Sequence, residues 1–238
     1  MPHAVSRLRD QRMARSKKPF LGRGVLLVRC ERCRVNVDYC MCAWQPKVTA
    51  DSAVCLLMHD TEPLKPTNTG WLIADVVPDT FAFGWSRTQV DKKILALLAD
   101  PQWQPYVVFP QEYAPTESVV HTVPHAELKV VGKRPLFVLL DGTWNEARKM
   151  FRKSAYLADL PVLSLQPDDI SGYRLRRSTR EEHLCTAEVT ALCLHLADDA
   201  VAAQALEQWF TRFNRHYLAS RKPPSIAEKE ALRAGTAF

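Results

Sequence analysis

The sequence predicts an α/β protein: a mainly parallel sheet flanked by helices, preceded by a small four-cysteine knuckle. Three observations carry that prediction. Two apolar runs too short for helices, 54–58 (VCLLM) and 136–140 (LFVLL), read as strands buried on both faces, as a parallel sheet requires. Segments with helical spacing alternate with these and other short strands, which is the rhythm of βαβ units. Ahead of them, Cys30, Cys33, Cys40 and Cys42 arrive as C-x2-C, a six-residue spacer, then C-x-C.

Composition sets the bounds. The 238 residues fit one large domain or one domain with a small appendage, and 47% hydrophobic residues suffice for a real core. A net charge of +6 and a pI of about 9.0 suggest a polyanionic partner. Nucleic acid ranks ahead of membrane, because no basic amphipathic helix with an aromatic face stands out. No apolar run approaches spanning length and no early segment resembles a signal peptide, so a cytoplasmic protein is the expectation. The seven cysteines then read as thiols or metal ligands rather than disulfides.

Taken in order, residues 1–24 read as a flexible basic arm, with Arg7, Arg9, Arg12, Arg15, Lys17 and Lys18 against a single acid, Asp10. Residues 25–48 form the knuckle. Its two close cysteine pairs can converge tetrahedrally on one soft cation, with Zn(II) the expected occupant and redox-active or simply buried thiols the other readings. Four thiolates leave no open coordination position, so such a site is structural. Arg29, Arg32 and Arg34 surround it. Residues 49–220 hold the main domain and 221–238 a loosely docked tail. Within the domain, strands are expected at 54–58, 81–85, 106–109, 136–140 and 162–165. Helices are expected at 71–77, 91–99, from Thr143 onward, at 182–197 and at 201–218, with Thr67 or Asn68 capping the first.

The stretch from Leu136 to Phe151 organises the chain. The strand stops at Asp141, Gly142 lets the chain turn, and Thr143 with Glu146 reads as a capping box. A carboxylate there lies where open α/β sheets bind ligands. On the helix that follows, Trp144, Ala147 and Phe151 share one stripe, and Arg148, Lys149, Arg152 and Lys153 the other. A second dense basic segment, Tyr173-Arg174-Leu175-Arg176-Arg177, follows the last strand and suits phosphates or carboxylates. No Walker loop or GxGxxG fingerprint occurs.

Asp141-Gly142-Thr143-Trp144 resembles the signature of the DTW-domain family. It is accompanied in order by the cysteine knuckle, His59-x-x-Glu62, Asn68-Thr69-Gly70, Tyr173-Arg174-Leu175-Arg176 and Thr186-x-Glu188. The chain departs from that pattern in having Asp60 where proline is usual and Cys185 where serine is common. The resemblance implies a SPOUT-like fold with a knotted C-terminal half. It also implies a tRNA-uridine aminocarboxypropyltransferase, which moves the 3-amino-3-carboxypropyl group of S-adenosylmethionine to uridine N3 and releases methylthioadenosine. In this reading Asp141, Thr143 and Trp144 serve catalysis. His59, Glu62, Asn68, Thr69, Pro110, Asp141, Gly142, Tyr173, Arg174, Thr186 and Glu188 hold the donor. Arg148, Lys149, Arg152, Lys153, Arg176 and Arg177 meet the tRNA.

The implied reaction makes demands the residues can be weighed against. A uridine N3 is a poor nucleophile until deprotonated, so a positioned base is needed, and Asp141 is the best-placed carboxylate if burial raises its pKa. Two rivals predict different outcomes. A SPOUT-type RNA methyltransferase would transfer the lighter methyl group, and a non-catalytic zinc-knuckle protein would bind tRNA without binding S-adenosylmethionine.

Overall fold

The computed structural model describes residues 2–18, 20, 27–166, 184–220 and 230–231. Among them, strands β1 (Ala53–Met58), β2 (Thr80–Gly84), β3 (Trp103–Val108), β4 (Val119–Val120), β5 (Arg134–Asp141) and β6 (Val162–Leu163) form one sheet. Its order is β2-β1-β5-β3-β6-β4, and every pairing is parallel. The helices are α1 (Ala4–Ala14), α2 (Gly70–Val76), α3 (Lys92–Ala99), α4 (His125–Val130), α5 (Trp144–Lys153), α6 (Thr186–Leu196) and α7 (Ala200–Ala219).

All six residues of β1 are buried because its alternating side chains feed two cores. Val54, Leu56 and Met58 join Phe137 and Leu139 of β5 in a core shared with α2, α6 and α7. Cys55 and Leu57 join Leu136 and Val138 in a second core, closed by Ile94 of α3 and Met150 of α5. Each fully buried side chain of this size stabilises by about 1.5–3 kcal/mol, so the two-sided strands anchor the molecule. Cys55 and Cys193 are buried and apolar in surroundings, as expected of packed thiols.

β5 lies between β1 and β3, whose outgoing connections run to opposite edges of the sheet. The crevice outside the carboxyl ends of β1, β5 and β3 is therefore the switch point of the topology, the usual ligand position in open sheets.

Several elements differ from expectation. The N-terminal segment is a packed helix, not a flexible arm: Ala4, Val5 and Leu8 are buried against α2 and β2. Counting its charges hid that apolar stripe. β3 begins three residues early, at Trp103, and carries Pro105 at a level where β6 has not yet joined, since that pairing starts at Val107. β4 and α4 went unpredicted, the first being two residues long and the second bearing exposed Val130. Thr69, rather than Thr67 or Asn68, is the cap position of α2, because the Asn68 side chain is engaged elsewhere. The 182–197 helix is described from Thr186 onward.

Candidate active site

The C-terminal end of β5 carries Asp141, whose backbone carbonyl accepts from His59 N at 2.8 Å and so ties the β1 exit to the β5 exit. Its carboxylate is buried. Asn68 Nδ2 donates to Oδ2 and Thr186 Oγ1 donates to Oδ1, each at 2.7 Å. Asn68 Nδ2 also reaches Glu62 Oε2 at 3.4 Å, and the Lys65 ammonium pairs with the other Glu62 oxygen. Burial pushes the Asp141 carboxyl up to about 6, and nearby Glu62 adds to the rise, against the two hydrogen bonds and Lys65. Asn68 Oδ1 is buried without a hydrogen-bond partner among the described residues, an unsatisfied acceptor at the centre of the cluster.

Gly70 makes this cluster possible. A Cβ there would meet Asn68 Oδ1 at 3.0 Å, Asp141 Oδ2 at 3.2 Å and Leu56 Cδ1 at 3.2 Å. Gly70→Ala should thus separate Asn68 from Asp141, lowering both thermal stability and turnover. A loss of about 1–3 kcal/mol is expected by thermal melt, as for a buried polar group deprived of its partner. Unchanged melting and turnover would show that the cluster gives way freely.

The turn after Asp141 follows the predicted chemistry. Thr143 N and Oγ1 both donate to Glu146 Oε2, at 2.8 and 2.7 Å, closing the capping box of α5. Burial alone would raise the Glu146 carboxyl, but the Thr143 hydrogen bonds and His59 hold it below its ordinary range. His59 Nδ1 lies 2.9 Å from Glu146 Oε1 in a poor orientation for a hydrogen bond, and the contact becomes an ion pair when the imidazole is protonated.

Beside this buried cluster opens a cleft of about 730 Å³ at the ends of β3, β5 and β6. Pro110, Gly142, Trp144 and Thr186 line it, as do Phe109, Ser164 and Gln166, which the sequence reading did not single out. Trp144 is 47% exposed rather than core, and its ring stacks on Phe109 at 5.6 Å and 11°. Phe109 in turn stacks on Phe151 at 4.5 Å. The result is an aromatic ledge, with Tyr113 packed edge-on against both Phe109 and Trp144 at 5.6 and 5.7 Å. The signal for Phe109 and Ser164 was available, since both sit at strand exits on the ligand side of the sheet.

Other expected site residues are placed away from the cleft. Asp141, Asn68, Glu62 and His59 lie behind or beside it, and among the described residues Thr186 joins cleft and carboxylate. Thr69 Oγ1 accepts from Ala187 N at 3.3 Å, which holds α2 against α6. Glu188 is turned to its own helix end, where Oε2 accepts from Cys185 N at 2.9 Å. Along α5, Lys149, Arg152 and Lys153 are exposed, and Arg148 donates to Asn145. Tyr173, Arg174, Arg176 and Arg177 lie outside the described residues.

The four cysteines do converge. All four Sγ atoms lie within 4.8 Å of one another, with Cys30 3.6 Å from both Cys40 and Cys42, and Cys33 3.9 Å from Cys40. Tetrahedral thiolates about 2.3 Å from zinc would stand about 3.8 Å apart, so the donor set fits that ion. Burial pushes Cys33 up to about 12 and Cys42 further, while backbone N–H groups of Cys33 and Arg32 bring Cys30 down to about 7 against its own burial. Four such thiols can ionise together only around a cation. The knuckle is no separate module, for Val35, Tyr39 and Met41 enter the main core and Trp71 Nε1 donates to Arg32 O at 2.6 Å.

Comparison with known proteins finds relatives by sequence. The tRNA-uridine aminocarboxypropyltransferase 2 of Drosophila melanogaster is 27% identical over 176 residues, which cover 70% of this chain and 65% of that protein. No solved structure matches the chain. The family model for the DTW domain matches residues 27–218, from the knuckle through almost all of α7, and the chain therefore belongs to the DTW domain family.

Proposed function

We propose that the protein transfers the 3-amino-3-carboxypropyl group of S-adenosylmethionine to N3 of a uridine in tRNA, in the variable loop, with methylthioadenosine released. The observation that carries this reading is the Asp141–Thr186 hydrogen bond, which connects a buried, weakly acidic carboxyl to the wall of an aromatic-edged cleft. The name of the Drosophila relative specifies the same group transfer and the same class of RNA.

The donor lies in the cleft, its sulfonium and adenine drawn to the Trp144–Phe109 ledge. The Thr186 hydroxyl takes the N3 proton of uridine while passing its own to Asp141. The N3 lone pair then forms a bond to Cγ of the donor's carbon chain. The Cγ–S bond breaks with its electron pair going to sulfur. Orientation decides that Cγ rather than the methyl carbon reacts, because only the carbon in line with N3 is attacked. Arg148, Lys149, Arg152 and Lys153 give α5 a basic side for the RNA backbone, and the target base is unstacked on binding, since N3 is otherwise hidden in pairing. Zn(II) fills the four-thiolate site and has no part in the chemistry. The knotted C-terminal half is carried by the family resemblance, and residues 167–183 lie outside the described residues.

Mass spectrometry of nucleosides from an unmodified tRNA transcript, incubated with protein and S-adenosylmethionine, tests the reading. A uridine heavier by an aminocarboxypropyl group, with methylthioadenosine in equal amount, is expected. A methylated nucleoside would replace this reaction with methyl transfer. Thr186→Val, which keeps the side-chain shape but removes the hydroxyl, should lower turnover about 10²-fold with tRNA affinity unchanged.

A further inference from the structure

We propose that α1, which precedes the family domain, forms a second contact surface for the phosphodiester backbone of the tRNA, extending the interface from the site mouth to the knuckle. This rests on the tRNA reading above and adds a partner surface to it. α1 is built to hold a fixed position. Ala4, Val5 and Leu8 bury one side, and Arg12 makes a two-pronged ion pair with Asp60 at 2.6 and 2.7 Å, locking the helix to the loop that carries His59.

The cations that remain are held by backbone carbonyls rather than by acids: Arg7 Nη1 donates to Pro2 O at 2.5 Å and Arg15 Nε to Gln11 O at 3.3 Å. Arg7 and Arg15 line a groove of about 890 Å³ along β2, with Lys93 of α3 also on its wall. The one acid lining the groove, Asp91, is occupied in capping α3 through Lys93 N at 2.9 Å. Arg7, Arg15, Lys17 and Lys18 form no ion pair among the described residues, whereas Arg9 and Arg12 do. Toward the knuckle, two further cations lie together, Arg29 Nη1 donating to the Arg34 carbonyl at 3.2 Å. Like charges gathered on a rigid helix repel one another, and a polyanion relieves the repulsion by releasing its own counterions. A loop-borne charge run would be solvated and mobile. Here Arg7 stands on the helix and Arg15 at its C-cap, and the Arg12–Asp60 pair ties that helix to the loop of His59.

The test compares two double variants of the full-length protein, each losing two charges. Arg7→Gln/Arg15→Gln removes the two groove cations that the N-terminal helix and its cap supply, leaving Lys93, and Lys129→Gln/Lys133→Gln removes two at the opposite end of the sheet. Binding of an unmodified tRNA transcript is measured over a range of salt concentrations, together with S-adenosylmethionine affinity and turnover at saturating tRNA. The groove variant should bind about tenfold more weakly, with a salt slope smaller by about 2, while donor affinity and saturated turnover stay at wild-type values. The control variant should bind as wild type does. Equal binding and slope in all three proteins would overturn the assignment alone. A wild type that binds tRNA but modifies nothing would overturn the catalytic reading and leave the surface standing, whereas a wild type that does not bind tRNA would overturn both.

Discussion

Asp141→Asn should lower transfer about 10³-fold while leaving tRNA binding and the fold intact. The substitution keeps the shape but removes the proton acceptor that Thr186 and Asn68 address. Its effect on stability runs the other way and makes the result diagnostic. The wild-type carboxyl sits at about 6 in the folded protein against an ordinary 3.8, so the native state holds its proton more tightly than the unfolded chain. Stability from this group is present below pH 4 and is lost as pH rises through 6. By pH 8 the buried anion costs up to about 3 kcal/mol, the equivalent of about two pKa units. An asparagine carries no such penalty, though its single oxygen serves only one of the two donors. The variant should therefore melt no lower than wild type at pH 8, and should lose the wild type's relative gain at pH 5. Turnover of the wild type should rise through pH 6 as the carboxylate forms. An inactive variant that is also strongly destabilised at pH 8 would demote Asp141 to a structural turn residue.

The other large effect concerns the knuckle. Purified protein should carry one equivalent of zinc by elemental analysis, and Cys33→Ser should carry none and melt about 10 °C lower. Cys33 is only 2% exposed, and what it holds in place is not confined to the knuckle. Tyr39 O accepts from the buried His216 of α7 at 2.9 Å, and Gln45 donates to both the backbone carbonyl and carboxylate of Asp75 on α2. Loosening the cysteine turns releases these ties together with Val35 and Met41. Metal-free native protein with wild-type melting would show that the four thiols are packing residues only.

The central strands β1 and β5 were legible because they are long apolar runs, and the α5 cap because Thr143 and Glu146 stand at the one spacing that lets each reach the other's backbone. The convergence of the cysteines was likewise written in their spacing. What the sequence concealed depended on distance along the chain. Nothing local says that Asn68 and Thr186 meet at Asp141, from 73 and 45 residues away, or that Trp144 lies on Phe109. Nor does Asp60 advertise Arg12, 48 residues earlier, as its partner. Nor does the family motif that contains Glu188 show that its carboxylate accepts from Cys185 N at the start of α6.

The position of β5 has a consequence for how the chain is made. Both neighbours of this strand, β1 and β3, leave the ribosome before it does, and Met58 pairs with Asp141 across 83 residues. Until β5 arrives, the facing edges of β1 and β3 stand open, apolar and without hydrogen-bond partners, in the arrangement that invites pairing with a second chain. The sheet closes from its middle and closes late, so nascent chains stalled before residue 134 are the population that folding helpers must shield.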